Sequence, residues 1–178
     1  MLLEFDGKTP HIGNNVFIAP TAVLIGDVEI GDNSSIWFNA VIRADFGPIR
    51  IGASCSIQDN VTIHAFGNLP TLIADRVTVG HNAVLEGCQI GEETVIGMQA
   101  AILPHARVGR RVMIAAGSVL TEGFETPDGV LVAGVPATVK KELGGASLDW
   151  IGRAARDYCA LQARYRAQGI GQPAENND

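Results

Sequence analysis

The chain has 178 residues, of which 47% are hydrophobic, 6% aromatic and 18% charged, enough apolar material for one globular unit with its own core. Its net charge of −6 and its lack of a Lys/Arg cluster leave nothing to offset phosphate charge, so neither nucleic acid nor an anionic membrane is an expected partner. The opening MLLEFDGKTP lacks a basic segment leading into a long apolar core, and no later run has membrane-spanning length; a cytoplasmic protein is the expectation.

Aliphatic residues return every sixth position from the start of the chain, at Ile12, Ile18, Leu24, Ile30, Ile36 and Ile42. The series continues through Ile51, Ile57, Ile63, Ile73, Val79, Leu85, Ile90, Ile96, Ile102, Val108, Ile114 and Leu120. That period fits neither a helix nor a lone strand, and it predicts an all-β solenoid, a parallel β-helix built from hexapeptide repeats over residues 1–122. Small or branched residues recur four positions after a rung, as at Val16, Ala22, Val28, Ser34, Ala40, Cys55, Val61, Ala83, Thr94, Ala100 and Val112. Both positions are expected to point into a narrow core, and Gly, Asn and Asp between them to form the corners. Extra residues between Ile42 and Ile51 and between Ile63 and Ile73, and a missing one between Leu85 and Ile90, break the count.

Past Leu120 the period fails, and a stretch carrying Pro127, Gly134 and Pro136 predicts a connecting segment over residues 123–146. Leu148, Ile151, Ala155, Tyr158 and Tyr165 then predict an amphipathic helix over residues 147–169, with Ser147 as N-cap and Gly169 at C′, packed on the coil. The polar residues 170–178 are expected to form a flexible tail. Cys55 and Cys88 fall at the small inward site and read as core thiols; Cys159 reads as a packing residue of the helix.

Taking the rungs in threes stacks positions one coil apart, and the polar candidates then gather beside the breaks. Arg43, His64 and Glu86 each follow a rung and share one face. Asp59 and His81 each come two residues after a rung and share the preceding face, with Gln58 beside them. Two imidazoles with a carboxylate suit zinc and leave a position for water. Because His81 points from another face, one metal using all three side chains would take His81 from a neighbouring subunit, most simply in a trimer. The plainer alternative makes these ordinary surface or interface residues: Arg43 and Asp45 a surface ion pair, and Gln58, Asp59 and Asn60 corner formers. His11 and His105 have no comparable partners in their columns.

Arg43-Ala44-Asp45, Pro48-Ile49-Arg50-Ile51-Gly52, Ile57-Gln58-Asp59-Asn60, Ile63-His64 and Val79-Gly80-His81, in that order, resemble the gamma-class carbonic anhydrase family. The resemblance extends through Gly97-Met98 and Gly134-Val135-Pro136-Ala137 to the closing helix with Trp150 and Tyr158. It implies a left-handed coil, a homotrimer with a metal at each subunit interface, and a small-molecule substrate. Zinc is the implied metal, with iron or cobalt as alternatives, and His64, His81 and Glu86 would hold it. Carbon dioxide would be hydrated to bicarbonate by metal-bound hydroxide. By the same resemblance Gln58 orients the water or hydroxide, Arg43 and Asp45 organise the interface and site, Asp59 supports them, and Tyr158 lies near the substrate pocket.

The chain departs from the family pattern in two places. Glu86 stands where the third metal histidine is expected, five residues after His81. Its negative charge would weaken the metal as a Lewis acid and raise the pKa of bound water. The loop between His64 and Ile73 holds no Glu or Asp, so the acidic proton shuttle of some members is missing. Two other functions share this architecture: a CoA-dependent acyltransferase or thioesterase, and a non-catalytic trimeric homologue.

Overall fold

The structure is a computed structural model that describes residues 1–171. Its strands form a parallel β-solenoid and belong to two sheets, one of 11 strands whose long strands Val23–Ile30 and Val41–Ile51 join two rung columns, and one of 8, with the helix Ala146–Ala167 packed on the coil. Rung residues lie directly over one another: Ile18, Ile36, Ile57, Val79, Ile96 and Ile114 climb the smaller sheet in register. Leu24, Ile42, Ile63, Leu85, Ile102 and Leu120 climb the larger one.

The inward pattern expected from the period is met. Ile36, Ile42, Ile57, Ile63, Leu85 and Ile96 are fully buried, and so are the small partners Ala22, Ala40, Val61 and Ala83. Each large rung side chain contributes about 1.5–3 kcal/mol by leaving water. Cys55 and Cys88 are core thiols, which burial pushes up to about 12 and leaves unreactive.

Corners are made by short polar residues in the left-handed region, including Asn33, Asn39, Asn60 and Asn82 at φ between 59° and 60°. Their N–H groups tie one coil to the previous one, as in Asn60 to the Phe38 carbonyl and Asn82 to the Asp59 carbonyl. His105 is another such corner, at φ 64°, bonded through its N–H to Gly87.

The three breaks are absorbed locally. The first lies within the long strand Val41–Ile51, which pairs with Val23–Ile30 on both sides of a register shift at Gly26/Val28. Gly26, at φ 76°, is needed there, because a Cβ would sit 2.6 Å from the Ala44 carbonyl oxygen. The second forms a small turn closed by a Phe66–Leu69 bridge, and the missing residue is taken up at Gly87, at φ 54°.

Beyond Leu120 the coil continues, contrary to the connecting segment expected over 123–146. Strand Val130–Gly134 pairs parallel with Met113–Ile114, placing Val132 on Ile114, and Ala137–Glu142 folds back antiparallel. Backbone ladder bonds need no sixfold spacing, so the irregular approach through Thr121–Gly129 hides this level from periodicity. The helix begins after Gly145 instead of at Ser147, and Gly169 follows its C-cap residue Gln168 at φ 73°. Phe17, Trp37 and Phe38 of the coil pack against Tyr165, and Trp37 also meets Tyr158 at 5.7 Å between ring centroids. The tail expected over 170–178 falls mostly outside the described residues.

Candidate metal centre

Parallel register brings Arg43, His64 and Glu86 into one column: Arg43 pairs with His64, and His64 with Glu86. The His64 ring sits between two carboxylates, Nδ1 at 2.9 Å from Glu86 Oε1 and Nε2 at 2.9 Å from Asp45 Oδ1. The other oxygen of Asp45 accepts from Arg43. Burial opposes ionisation of Asp45, but hydrogen bonds from His64 and Arg43 outweigh it and hold the carboxyl below its ordinary value. Asp45 reaches the ring because it lies at the start of the first insertion, where the strand departs from its neighbour.

Asp59 and His81 meet on the preceding face, His81 Nδ1 lying 2.8 Å from Asp59 Oδ2. A carboxylate on Nδ1 fixes the proton there and leaves the Nε2 lone pair free, the arrangement in which histidines bind metals. Gln58 is buried, and its Oε1 accepts from the His81 backbone N–H at 3.2 Å. Tyr158 lies beside Gln58 and His81 along a pocket of about 300 Å³ between the helix and the smaller sheet, walled also by Met98 and Trp150. Burial, and then the charge of Asp59, push the Tyr158 phenol up, so it stays protonated as a donor.

Among the described residues no group of three His, Cys, Asp or Glu side chains in one chain could hold a metal ion. What one chain supplies is a pair. A neutral imidazole has one N–H and one lone pair, so His64 can donate to only one of its two carboxylates; the other contact sets a lone pair against an anion and calls for a cation or a second proton. Two ligand atoms of a tetrahedral zinc lie about 3.3 Å apart, so the 2.9 Å contact between His64 and Glu86 needs to open by only a few tenths of an ångström to accept one. The side chains fit a metal as two ligands of a set, and His81, with 38% of its side chain exposed, faces outward where it can serve another copy.

Three contributors were not legible in the sequence. Thr71 is fully buried, donates to the His64 carbonyl at 2.5 Å and accepts from the Gly87 N–H at 2.8 Å, tying the site's two strands together. Phe46, inside the first insertion, places its ring 5.6 Å from that of His64. Thr78 borders the pocket with a buried hydroxyl that has no hydrogen-bond partner among the described residues. An aromatic immediately after Asp45 was the one visible signal.

No helix among the described residues is long and apolar enough to cross a membrane. The bacterial transferase hexapeptide (six repeats) family matches residues 9–44 and 87–122. The carbonic anhydrase of Geobacillus kaustophilus is 40% identical over 94% of this chain and 92% of its own length. Gamma carbonic anhydrase 2, mitochondrial, of Arabidopsis thaliana is 38% identical over 90% of this chain, which spans 60% of that relative's length. Among solved structures, the BC4754 gene product of Bacillus cereus superposes with a TM-score of 0.93 at 36% identity, covering 94% of this chain and 98% of its own. The periodic core, the register of the polar column and these relatives together place the chain in the gamma-class carbonic anhydrase-like family of hexapeptide-repeat proteins.

Proposed function

We propose that the protein is a homotrimeric metalloprotein that reversibly hydrates carbon dioxide to bicarbonate and a proton, with His64 and Glu86 of one subunit and His81 of the next holding the metal. The observation that carries this reading is the division of ligands between two faces: His64 and Glu86 converge on one, and Asp59 holds His81 outward on the other. Exposed apolar side chains accompany both groups, Phe46, Phe66 and Val84 with the first and Met98 with the second, as an intersubunit surface requires. A bound zinc, or iron or cobalt, supplies Lewis acidity that makes a water molecule nucleophilic near neutral pH.

The chain's own groups do the rest. Asp59 keeps the His81 proton on Nδ1, and Arg43 with Asp45 holds the His64 ring in place. Gln58, pinned to the His81 backbone, presents its amide beside the ligand and orients the water or the substrate. Tyr158 offers a phenol proton toward the same pocket. With no acidic residue in the loop between His64 and Ile73, the released proton leaves through buffer.

The pocket beside His81 favours a second reading, hydrolysis of a thioester or acyl transfer from CoA. About 300 Å³ is the lower end of small-molecule sites and exceeds what a triatomic gas needs. Metal analysis of protein purified without added metal, paired with carbon dioxide hydration and acyl-CoA turnover assays, decides among the readings. Hydration that depends on a bound metal supports the first. Metal-free protein sinks both the metal site and the hydration reading and leaves acyl-CoA chemistry or a non-catalytic trimer. Turnover of acyl-CoA without hydration favours the second.

A further inference from the structure

A groove of about 730 Å³ lies away from His64 and Glu86, between one side of the C-terminal helix and a corner of the solenoid, within the size range of small-molecule sites. We infer that this groove binds a small organic anion that also carries a hydrogen-bond donor. Two independent features of the lining lead there, one of charge and one of an unmet hydrogen bond.

The helix runs back along the coil. The Arg166 guanidinium lies 3.3–3.4 Å from Asn15 Oδ1, and the Cys159 thiol lies 3.6 Å from the Asn33 carbonyl oxygen. Later corners of the same column, Arg76 and Glu93, therefore fall toward the first half of the helix, where Arg156 projects into the groove. Glu93 is already held by Arg76 at 3.2 Å and by Arg111 at 3.6 Å. Among the described residues Arg156 and Arg166 make no ion pair, Arg156 Nε donating to the Gly152 carbonyl at 3.0 Å, so two guanidinium groups without a carboxylate partner among those residues face one groove. Guanidinium forks bind carboxylate or phosphate well.

Gln162 lies between the two arginines on the floor of the groove. It is 3% exposed, and its buried Oε1 has no hydrogen-bond partner among the described residues. A buried, unpaired amide oxygen costs stability, and an aliphatic residue would serve packing better at this position. An O–H or N–H donor from a bound molecule satisfies it. Arg156 and Gln162 are six residues apart on the helix, about 9 Å along its axis, which sets the reach from anionic group to donor. Nucleoside monophosphates and sugar acids have such a span; the shared chemistry is an anion at Arg156 and a hydroxyl or amino group at Gln162.

Cys159 provides the readout, because it lines the groove while Cys55 and Cys88 are buried. The rate of Cys159 alkylation is measured in the assembled protein, with and without chelator, in the presence of AMP, gluconate, adenosine or inorganic phosphate. AMP or gluconate is expected to slow alkylation saturably at millimolar concentrations; AMP alone identifies a phosphate ligand, and gluconate alone a carboxylate ligand. Chelation leaves the effect unchanged, so failure of the metal reading does not touch this one. Arg156→Ala and Gln162→Leu should each weaken protection by roughly ten- to a hundredfold. Gln162→Leu should keep or raise the thermal midpoint of the free protein, whereas a purely structural glutamine would lower it.

Four results overturn the inference: no protection by AMP or gluconate; protection by inorganic phosphate equal to that by AMP, which means an adventitious ion only; undiminished protection in Arg156→Ala; or a Cys159 already unreactive without any probe, which means a closed groove.

Discussion

Thr71→Val isolates the hydrogen bonds that tie the strand ending at His64 to the turn after Glu86. The side chain is fully buried, its hydroxyl donating to the His64 carbonyl at 2.5 Å and accepting from the Gly87 N–H at 2.8 Å. Valine nearly matches the volume, so packing is kept and no cavity opens. The Gly87 N–H retains a longer bond to the same His64 carbonyl at 3.3 Å, so it is not orphaned. Two bonds at about 0.5–1.5 kcal/mol each give a loss of about 2 kcal/mol. For a chain of this size that lowers the thermal midpoint by roughly 4–8 °C. Thermal unfolding followed by circular dichroism, with Thr71→Ser as the hydroxyl-retaining control, measures it. A valine variant as stable as the parent, or a serine variant as damaged as the valine, refutes the reasoning.

Glu86→His, which removes a negative charge from the proposed ligand set, should raise hydration activity in protein that keeps its fold and metal; equal or lower activity in the paired assay counts against the charge argument. Asp27 accepts from Lys8 at 2.7 Å and pairs with Arg50 at 2.7 Å, and the Lys8 bond first, then Arg50 against the opposing effect of burial, hold its carboxyl below the ordinary 3.8. The stability advantage over Asp27→Asn is therefore full above that pH and shrinks as acid protonates the folded carboxylate; urea midpoints showing an undiminished gap in acid would contradict this. Tyr165→Ala removes the ring that meets Phe17, Trp37 and Phe38, at centroid distances of 5.5, 5.2 and 6.2 Å. It should expose Ala146–Ala167 to limited proteolysis while the β signal survives; collapse of the whole chain would show that the helix is integral to the coil.

How far the site was legible follows from which contacts register controls. Arg43, His64 and Glu86 could be aligned by counting rungs, because in-register parallel strands carry side chains on the same face at equal offsets. Asp45 could be named as polar and nearby, but its grip on His64 Nε2 depends on the path taken where the repeat is interrupted, and no period describes that path. Thr71 belongs to the second insertion and was invisible for the same reason. The last solenoid level, at Val132, lies outside the sixfold period because its approach is irregular, although its ladder bonds are ordinary.

By itself the sequence determined the solenoid, its inward faces, the corners and the column of candidate ligands, since all of these repeat from one coil to the next and repetition is visible without coordinates. Only the tertiary structure decided what happens where repetition stops or where distant segments meet. His64 is enclosed by two carboxylates, His81 is turned away by Asp59, and the returning helix closes a cationic groove over Gln162. Those contacts join residues between 19 and 151 positions apart, and a local pattern carries no information about separations of that kind.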